Sequence, residues 1–133
     1  MKEILIIEDE MEMRFYLTTM VRSLGFDPVV TRNGAQGLEA LEGLDPALII
    51  LDIMMPEKGG ALVYQALKAH DSWRHIPLLI FSGVDRSAFD HYVRMLNASA
   101  GCQTPPPKYY VEKSADPDYL KSMILACMKE GNL

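Results

Sequence analysis

Three uninterrupted apolar runs, each followed at once by a polar residue, constrain the fold of this chain more than any other feature. They occupy residues 4–7, 47–51 and 77–81. A strand that is apolar at every position, and not only at alternate ones, is typical of a parallel sheet covered on both faces. The chain is therefore predicted to build a parallel sheet between two layers of helix.

Helical patterns separate these runs. The first has apolar residues at spacings of three and four and ends at Gly25, and similar patterns follow each later run. Weaker strands are predicted at 28–31 and 109–111, and the segment 98–108, which contains Gly101 and three consecutive prolines, is predicted to be irregular. Asp116 and Pro117 are predicted to open the last helix, as its N-cap and first-turn residues. Five strand–helix repeats in sequence indicate an α/β fold.

Size and charge narrow the function classes. The chain has 133 residues and a formal net charge of -5, so one domain is expected, with no linker, and an electrostatic grip on nucleic acid or anionic lipid is disfavoured. No stretch is long and apolar enough to span a membrane or act as a signal peptide, and a cytoplasmic location is the default. The two cysteines, Cys102 and Cys127, match no metal motif, and Cys127 is predicted to be a buried thiol.

Polar side chains follow four of the five predicted strands. Glu8 and Asp9 follow the first, Asp52 the third, Ser82 the fourth and Lys113 the fifth. Since sites in open parallel sheets lie at the carboxyl ends of the strands, these five side chains are predicted to converge. Crowded carboxylates raise one another's pKa unless a cation intervenes, and Mg²⁺ prefers such oxygen ligands. The set could then hold a phosphoryl group on a carboxylate oxygen.

Each of these residues taken alone has a more ordinary interpretation. An aspartate after a strand, such as Asp52, is most often a turn or N-cap residue. The Glu8–Asp9–Glu10 run could simply favour a helix N-terminus, and Lys113 could be a solvated side chain. Only their joint placement at strand ends favours a site.

The stretches ILIIEDE, ALIILDIMMPEKGG, IPLLIFSG and YYVEKS, in this order, resemble the receiver domains of bacterial response regulators, of which the chemotaxis response regulator is the single-domain type. The resemblance covers nearly the whole chain. It implies a flavodoxin-like doubly wound (βα)5 sandwich, with a five-stranded parallel sheet in the order 2-1-3-4-5. It also implies one receiver domain over residues 1–133, with no output domain in this chain.

The resemblance assigns roles to the residues at the strand ends. Asp52 resembles the phosphoryl-accepting aspartate. Asp9 resembles a direct ligand of Mg²⁺ (or Mn²⁺), Glu8 a ligand acting through water, and the backbone carbonyl of Met54 the remaining protein ligand. Pro56 matches the family's loop proline.

The same resemblance implies a switch and partners. Ser82 would contact a phosphoryl oxygen, Lys113 would pair with it, and Tyr110 resembles the aromatic residue that follows the hydroxyl inward on phosphorylation. A strand aromatic packed on the last helix is the ordinary alternative for Tyr110. The implied donor is a sensor histidine kinase or phosphotransfer protein. A homodimer or effector contact would use the face formed by the fourth helix, fifth strand and fifth helix.

Two features depart from the family pattern. Ser114 follows Lys113 where relatives usually have proline, often after a cis bond, so the bond here is either trans in a reshaped loop or strained. The interval from Ser82 to Lys113 is also longer than usual, and the extra length falls in residues 98–108. This insertion either alters the choice of partner or is a tolerated surface insertion.

Four function classes can be distinguished on these residues. The leading hypothesis is a signalling module that catalyses only its own Mg²⁺-dependent phosphorylation and dephosphorylation. The alternative is a pseudo-receiver that binds proteins independently of phosphorylation. A hydrolase of the haloacid dehalogenase type is disfavoured because Met54 stands where those enzymes have a second acid. DNA binding is disfavoured by the charge and by the lack of a helix-turn-helix region.

Overall fold

A computed structural model describes residues 1–53, 59–101 and 103–130 of the chain. Five strands alternate with five helices over these residues. The elements are β1 (Glu3–Ile7), α1 (Met11–Ser23), β2 (Asp27–Thr31), α2 (Gly34–Leu41), β3 (Leu48–Leu51), α3 (Gly60–Ala69), β4 (Leu78–Ser82), α4 (Arg86–Ala100), β5 (Tyr109–Glu112) and α5 (Pro117–Glu130).

The five strands form one parallel sheet in the order β2-β1-β3-β4-β5. The predicted α/β class, flavodoxin-like doubly wound architecture and strand order are therefore confirmed. Strand order reverses between β1 and β3, which are direct neighbours with Ile7 opposite Leu51. The crevice outside the carboxyl ends of these two strands is the place where open α/β sheets bind their ligands.

The apolar strands divide their side chains between two cores because successive residues of a strand point to opposite faces. On one face Leu5, Ile7, Ile49 and Leu51 pack with α2, α3 and α4. On the other face Ile4, Ile6, Leu48 and Ile50 pack with α1 and α5. Burial on both faces explains why β1 is apolar from Ile4 to Ile7 and β3 is apolar throughout.

Helix ends follow the local sequence. Gly25 takes a left-handed φ of 88° just after α1, a conformation that costs glycine least. The Asp116 carboxylate accepts a hydrogen bond from the Asp118 backbone N–H at 2.8 Å, which confirms the predicted cap of α5. Cys127 is buried in α5, as predicted. Cys102 lies outside the described residues.

The boundaries differ from the predictions in two places. Helix α2 ends at Leu41 and does not reach Leu44. The predicted irregular segment at 98–108 is wrong at its start, because α4 continues to Ala100 and ends at Gly101, which has a left-handed φ of 66°. The 15-residue helix uses the alanines and serine at 98–100 as its last turn, a composition that permits helix as well as loop.

Residues 103–107, called here the proline strap, connect α4 to β5 across the outside of α3 and α4. Asn97 both donates to the Thr104 carbonyl, at 2.8 Å, and accepts from the Thr104 N–H, at 3.1 Å. The buried Tyr64 of α3 donates its hydroxyl to the Pro105 carbonyl at 2.6 Å, and Arg86 of α4 donates to the Pro107 carbonyl at 2.6 Å. Three side chains from two helices thus fasten a segment that has no regular structure of its own.

The turn between α3 and β4 holds the single tryptophan of the chain. Its indole stacks on the His70 imidazole, with ring centroids 3.7 Å apart and planes inclined by 11°. The Trp73 carbonyl accepts from the Ile76 N–H at 3.0 Å, which closes the turn. This stack lies at the amino end of β4, at the edge of the sheet opposite to Asp52. No described helix has the length and apolarity needed to cross a membrane.

Candidate functional site

Six polar residues lie at the carboxyl edge of the sheet, and this set is called the polar edge. Strand β1 leads into Glu8, Asp9 and Glu10, β3 leads into Asp52, β4 ends on Ser82, and β5 leads into Lys113. They share this edge because parallel strands all end there. The polar edge consists of Glu8, Asp9, Glu10, Asp52, Ser82 and Lys113.

The backbone fixes these positions before the side chains add anything. The Asp52 N–H donates to the Ile7 carbonyl at 2.9 Å, which ties the end of β3 to the end of β1. The Lys113 N–H donates to the Ser82 carbonyl at 2.8 Å, which ties β5 to β4 in the same way. The ends of β3 and β5, and with them Asp52 and Lys113, are therefore fixed by main-chain hydrogen bonds to the neighbouring strands.

Four carboxylates form a compact oxygen cluster. One oxygen each of Glu8, Asp9, Glu10 and Asp52 lies within 4.8 Å of the others. The side chains of Glu8 and Asp52 are 0% and 1% exposed. Burial, together with a hydrogen bond to and the negative charge of Asp52, raises the pKa of Glu8 above its ordinary value. Four acidic side chains lie close together here, and their mutual repulsion and burial cost free energy.

Lys113 supplies the positive charge at this edge. Its Nζ lies 2.9 Å from Glu10 Oε1, 3.0 Å from Glu8 Oε1 and 3.4 Å from Asp52 Oδ2. Burial disfavours the charged ammonium, but hydrogen bonds to Glu10 and Glu8 and the charge of Asp52 outweigh it, so the pKa of Lys113 is raised. One cation faces three carboxylates, and the cluster remains net negative.

The donor set fits a hard divalent cation such as Mg²⁺ or Mn²⁺. All of its ligand atoms are oxygens, which such ions prefer. The buried Asp9 Oδ1 accepts no hydrogen bond from the described residues, and an ion there would satisfy it. Asp9, Asp52 and Glu8 are the residues that would hold the ion, directly or through water. The predicted ligand Met54 and the loop residue Pro56 lie outside the described residues.

Arg14, which the sequence alone did not single out, supports the turn that carries the acidic run. Its Nη1 donates to the Asp9 carbonyl at 2.7 Å and to the Glu8 carbonyl at 3.1 Å. The Glu10 N–H donates in turn to Glu8 Oε2 at 3.1 Å. Arg14 lies four residues after Glu10, so its spacing in the sequence points to an ion pair with that acid and not to these carbonyl groups.

Ser82 and Tyr110 lie side by side and share one backbone partner. The buried Ser82 Oγ accepts from the Val84 N–H at 3.2 Å. The Tyr110 hydroxyl donates to the Val84 carbonyl, and its ring packs 5.9 Å from that of Phe89 in α4. Burial raises the pKa of Tyr110 to about 12, so its hydroxyl remains a donor at neutral pH. The Tyr110 ring belongs to the same core cluster as Phe89 and Val93 of α4, whereas the buried residues of the last helix lie in the other core cluster.

The bond after Lys113 is trans. No described residue has a cis peptide bond, and the chain turns back at once, with the Ala115 N–H donating to the Glu112 carbonyl at 2.9 Å. Of the two possibilities left open by Ser114, the structure has the trans bond. The ammonium reaches the carboxylates all the same.

Comparison with known proteins assigns the family at this point. Residues 4–125 match the model of the response regulator receiver domain. The chain belongs to that family. The polar-differentiation response regulator DivK of Brucella anthropi is 30% identical over 103 residues, which cover 77% of this chain and 80% of that protein.

Solved structures of receiver domains are similar over almost the whole receiver chain. A signal receiver domain of a histidine kinase from Syntrophus aciditrophicus superposes with a TM-score of 0.80 at 25% identity, covering 97% of this chain and 91% of that one. The chemotaxis protein CheY4 of Vibrio cholerae gives a TM-score of 0.76 at 16% identity, covering 96% and 98%. The second likeness concerns the fold alone. Two-component signalling is thus the setting of this chain.

Proposed function

We propose that Asp52 accepts a phosphoryl group from the phosphohistidine of a sensor kinase or phosphotransfer protein and that phosphorylation switches partner binding. The observation that carries the proposal is the position of Asp52. It is a buried carboxylate at the end of β3, 3.4 Å from the Lys113 ammonium and inside a cluster of four carboxylates. A bound Mg²⁺ would neutralise charge on the phosphoryl oxygens.

The residues of the chain account for the rest of the transfer. The Asp52 carboxylate attacks phosphorus, a P–O bond forms as the P–N bond of phosphohistidine breaks, and the imidazole leaves. Lys113 places a positive charge beside the acquired group, and the Ser82 hydroxyl can donate to one of its oxygens. Such transfer depends mainly on positioning and charge neutralisation, and fixed strand ends supply the positioning.

The readout in this proposal is the pair Ser82 and Tyr110. Both hold Val84, one through its N–H and the other through its carbonyl. If Ser82 turns toward a phosphoryl oxygen, the Val84 N–H loses its acceptor and the contact with Tyr110 must adjust. Because Val84 directly precedes the start of α4, the change would reach the face formed by α4, β5 and α5, where we place the contact with an effector or second copy.

Mass spectrometry after treatment with acetyl phosphate and Mg²⁺ tests the proposal. The native chain should gain one phosphoryl group, and Asp52→Asn should gain none. Asp45→Asn removes the same charge from a carboxylate outside the polar edge and should behave as the native chain does. Equal labelling of the native chain and Asp52→Asn would contradict the proposal. No labelling of the native chain would favour the pseudo-receiver, a module that binds partners without phosphorylation.

The proline strap belongs to the proposal about partners. It lies beside α4, and its Pro105 and Pro106 side chains are exposed. We propose that it alters which proteins bind this face. Deleting residues 101–107 and measuring self-association and transfer from a kinase would test this, and unchanged values in both measurements would refute it. We also propose that residues 1–133 work as one receiver domain in the cytoplasm, without contacting nucleic acid or membrane.

A further inference from the structure

The nearest partner of Lys113 is Glu10, and this order of distances has a functional consequence. Lys113 Nζ lies 2.9 Å from Glu10 Oε1 but 3.4 Å from Asp52 Oδ2. The ammonium proposed to pair with a phosphoryl group on Asp52 is thus already bound to a carboxylate at the start of α1. Any approach to that phosphoryl group has to exchange one anionic partner for another.

The backbone of Lys113 is held in place, so backbone motion cannot move the ammonium from one anionic partner to the other. The Lys113 N–H is bonded to the Ser82 carbonyl at 2.8 Å, and the turn that follows is closed by the bond from Ala115 to Glu112. The movable part is therefore the side chain, that is, the four-carbon stem and its ammonium. This side chain is 15% exposed. A lysine stem is flexible and its charge is a compact point, so the ammonium can shift between neighbours without moving the strand.

Glu10 is placed in an unusual way for a helix N-cap. It caps α1, yet its side chain makes no hydrogen bond to the helix. N-cap side chains ordinarily accept from the first helical N–H groups. Here the carboxylate extends across the edge of the sheet to a residue 103 positions away in the chain. Helix α1 therefore has no side-chain cap from Glu10, because the Glu10 carboxylate forms the ion pair with Lys113 instead.

Exposure separates Glu10 from the other carboxylate that Lys113 touches at short range. The Glu10 side chain is 60% exposed, whereas Glu8 is 0% exposed. Water can rehydrate the Glu10 carboxylate when the ammonium leaves, whereas a buried carboxylate would be left without compensation. Of the two short ion pairs, the one with Glu10 is therefore the easier to break.

We propose that Glu10 is a positioning residue that holds the Lys113 ammonium back from Asp52 and releases it when Asp52 carries a phosphoryl group. The inference rests on the proposed function and adds a regulatory residue to it. A phosphoryl group carries about two negative charges and three acceptor oxygens, so it competes well against a single hydrated carboxylate. Because Lys113 must first leave Glu10, the strength of that ion pair reduces the net binding between Lys113 and the phosphoryl group.

Beryllofluoride, a stable mimic of the phosphoryl group, tests this with Mg²⁺ present at saturation. Calorimetric titration should show that Glu10→Gln binds it about two- to fivefold more tightly than the native chain, the range expected for losing one exposed ion pair. Glu12→Gln is the matched control, because it removes an equal charge from the first turn of the same helix at an exposed position. Its binding should equal that of the native chain.

A double variant shows whether the effect runs through the lysine. In a Lys113→Ala background, Glu10→Gln should change beryllofluoride binding no more than Glu12→Gln does. Titration with Mg²⁺ alone gives a second reading, in which Glu10→Gln should weaken ion binding less than Asp9→Asn does, because Asp9 and not Glu10 is among the residues that would hold the ion. Thermal unfolding of each variant shows whether any difference in binding reflects a loss of fold.

The outcomes separate this inference from the proposed function. A native chain that binds no beryllofluoride overturns both. A native chain that binds it while Glu10→Gln and Glu12→Gln give equal affinities overturns the role of Glu10 alone. Mg²⁺ binding weakened in Glu10→Gln as much as in Asp9→Asn, or weaker beryllofluoride binding in Glu10→Gln, would make Glu10 a support of the ion site, and that result also overturns the inference. An undiminished gain in the Lys113→Ala background does the same.

Discussion

The polar edge and the proline strap both depend on groups brought together from distant parts of the chain, but by different means. At the polar edge, strand ladders bring Asp52 to Ile7 and Lys113 to Ser82, and the charged side chains only complete the arrangement. In the strap, individual side chains such as Asn97 hold bare carbonyl groups. Regular structure makes the first region rigid as a unit, whereas the second is only as stable as its separate contacts.

Gly60→Ala should produce the largest effect, because it disturbs the backbone beneath the polar edge. A Cβ at Gly60 would lie 2.1 Å from the Ile53 Cα and 2.6 Å from the Asp52 carbonyl oxygen. Backbone atoms cannot yield as a side chain can, so we expect the free energy of unfolding to fall by about 3 kcal/mol. Chemical denaturation measures this, and labelling by acetyl phosphate should fall as well.

The matched control for that change is Gly43→Ala. A Cβ at Gly43 meets no atom within 4 Å, so its unfolding free energy should remain within about 0.5 kcal/mol of native. Equal losses in the two variants would mean that the close approach of α3 to Asp52 does not constrain the polar edge.

Asn97→Ala should give the next largest effect, this time in the strap. The change removes both hydrogen bonds to Thr104, at 2.8 and 3.1 Å. We expect a loss of about 1–2 kcal/mol in unfolding free energy and faster amide hydrogen exchange at residues 103–104. Ser99→Ala, at an exposed hydroxyl that bonds only within its own helix, should leave exchange in the strap unchanged. Phosphoryl labelling that is unaltered in Asn97→Ala would show that the strap and the polar edge are held independently, since the polar edge is held by other contacts.

Tyr64→Phe isolates one bond of the strap. The ring stays buried against Phe89, at a centroid distance of 5.6 Å, while the hydroxyl that donates to the Pro105 carbonyl is lost. The expected loss is about 1 kcal/mol, the usual size for one hydrogen bond. Tyr92→Phe makes the same chemical change on an exposed side chain of α4 and should cost nothing measurable. If the two variants unfold alike, the Tyr64 contact does not fasten the strap.

The smallest effect is expected where the two residues that follow the strap meet the end of α5. Glu130 accepts from Lys108 at 3.1 Å and from the Tyr109 hydroxyl, and these contacts hold the pKa of Glu130 below its ordinary 4.5. A lowered folded-state pKa contributes stability above 4.5 that is lost as the pH falls through the folded value. Glu130→Gln should therefore be slightly less stable than native at neutral pH and equal to it in acid. A difference in denaturation midpoint that persists in acid would contradict this.

These contrasts explain how much of the fold and of the polar edge could be predicted from the sequence. The runs at 4–7, 47–51 and 77–81 predict the sheet because a strand apolar at every position has few other uses. The same runs place Glu8, Asp9, Asp52 and Ser82 at one edge, since each strand ends where its apolar run ends, and the strand predicted at 109–111 adds Lys113. The α/β class and five members of the polar edge follow from these patterns, whereas the strand order was implied by the family resemblance and Glu10 was not predicted as a member.

Contacts made by single side chains could not be predicted in this way. Glu10 looks like a helix-start charge in the sequence, and only the structure shows its carboxylate directed to Lys113. Tyr64, Arg86 and Asn97 follow ordinary helical spacing, and nothing in that spacing indicates a carbonyl beyond the helix. The end of α4 was misjudged because alanine and serine before a glycine suit a loop and a last helical turn alike.

The stack of Trp73 on His70 gives the molecule a built-in optical reporter at a useful place. Indole emission senses only its near surroundings, and β4, which separates this indole from Ser82, is itself roughly 13 Å long if each of its steps rises about 3.3 Å. Loading the carboxyl edge with an ion should therefore leave the emission spectrum unchanged. A spectrum that does shift would record motion transmitted through the length of the sheet, with no label attached to the protein.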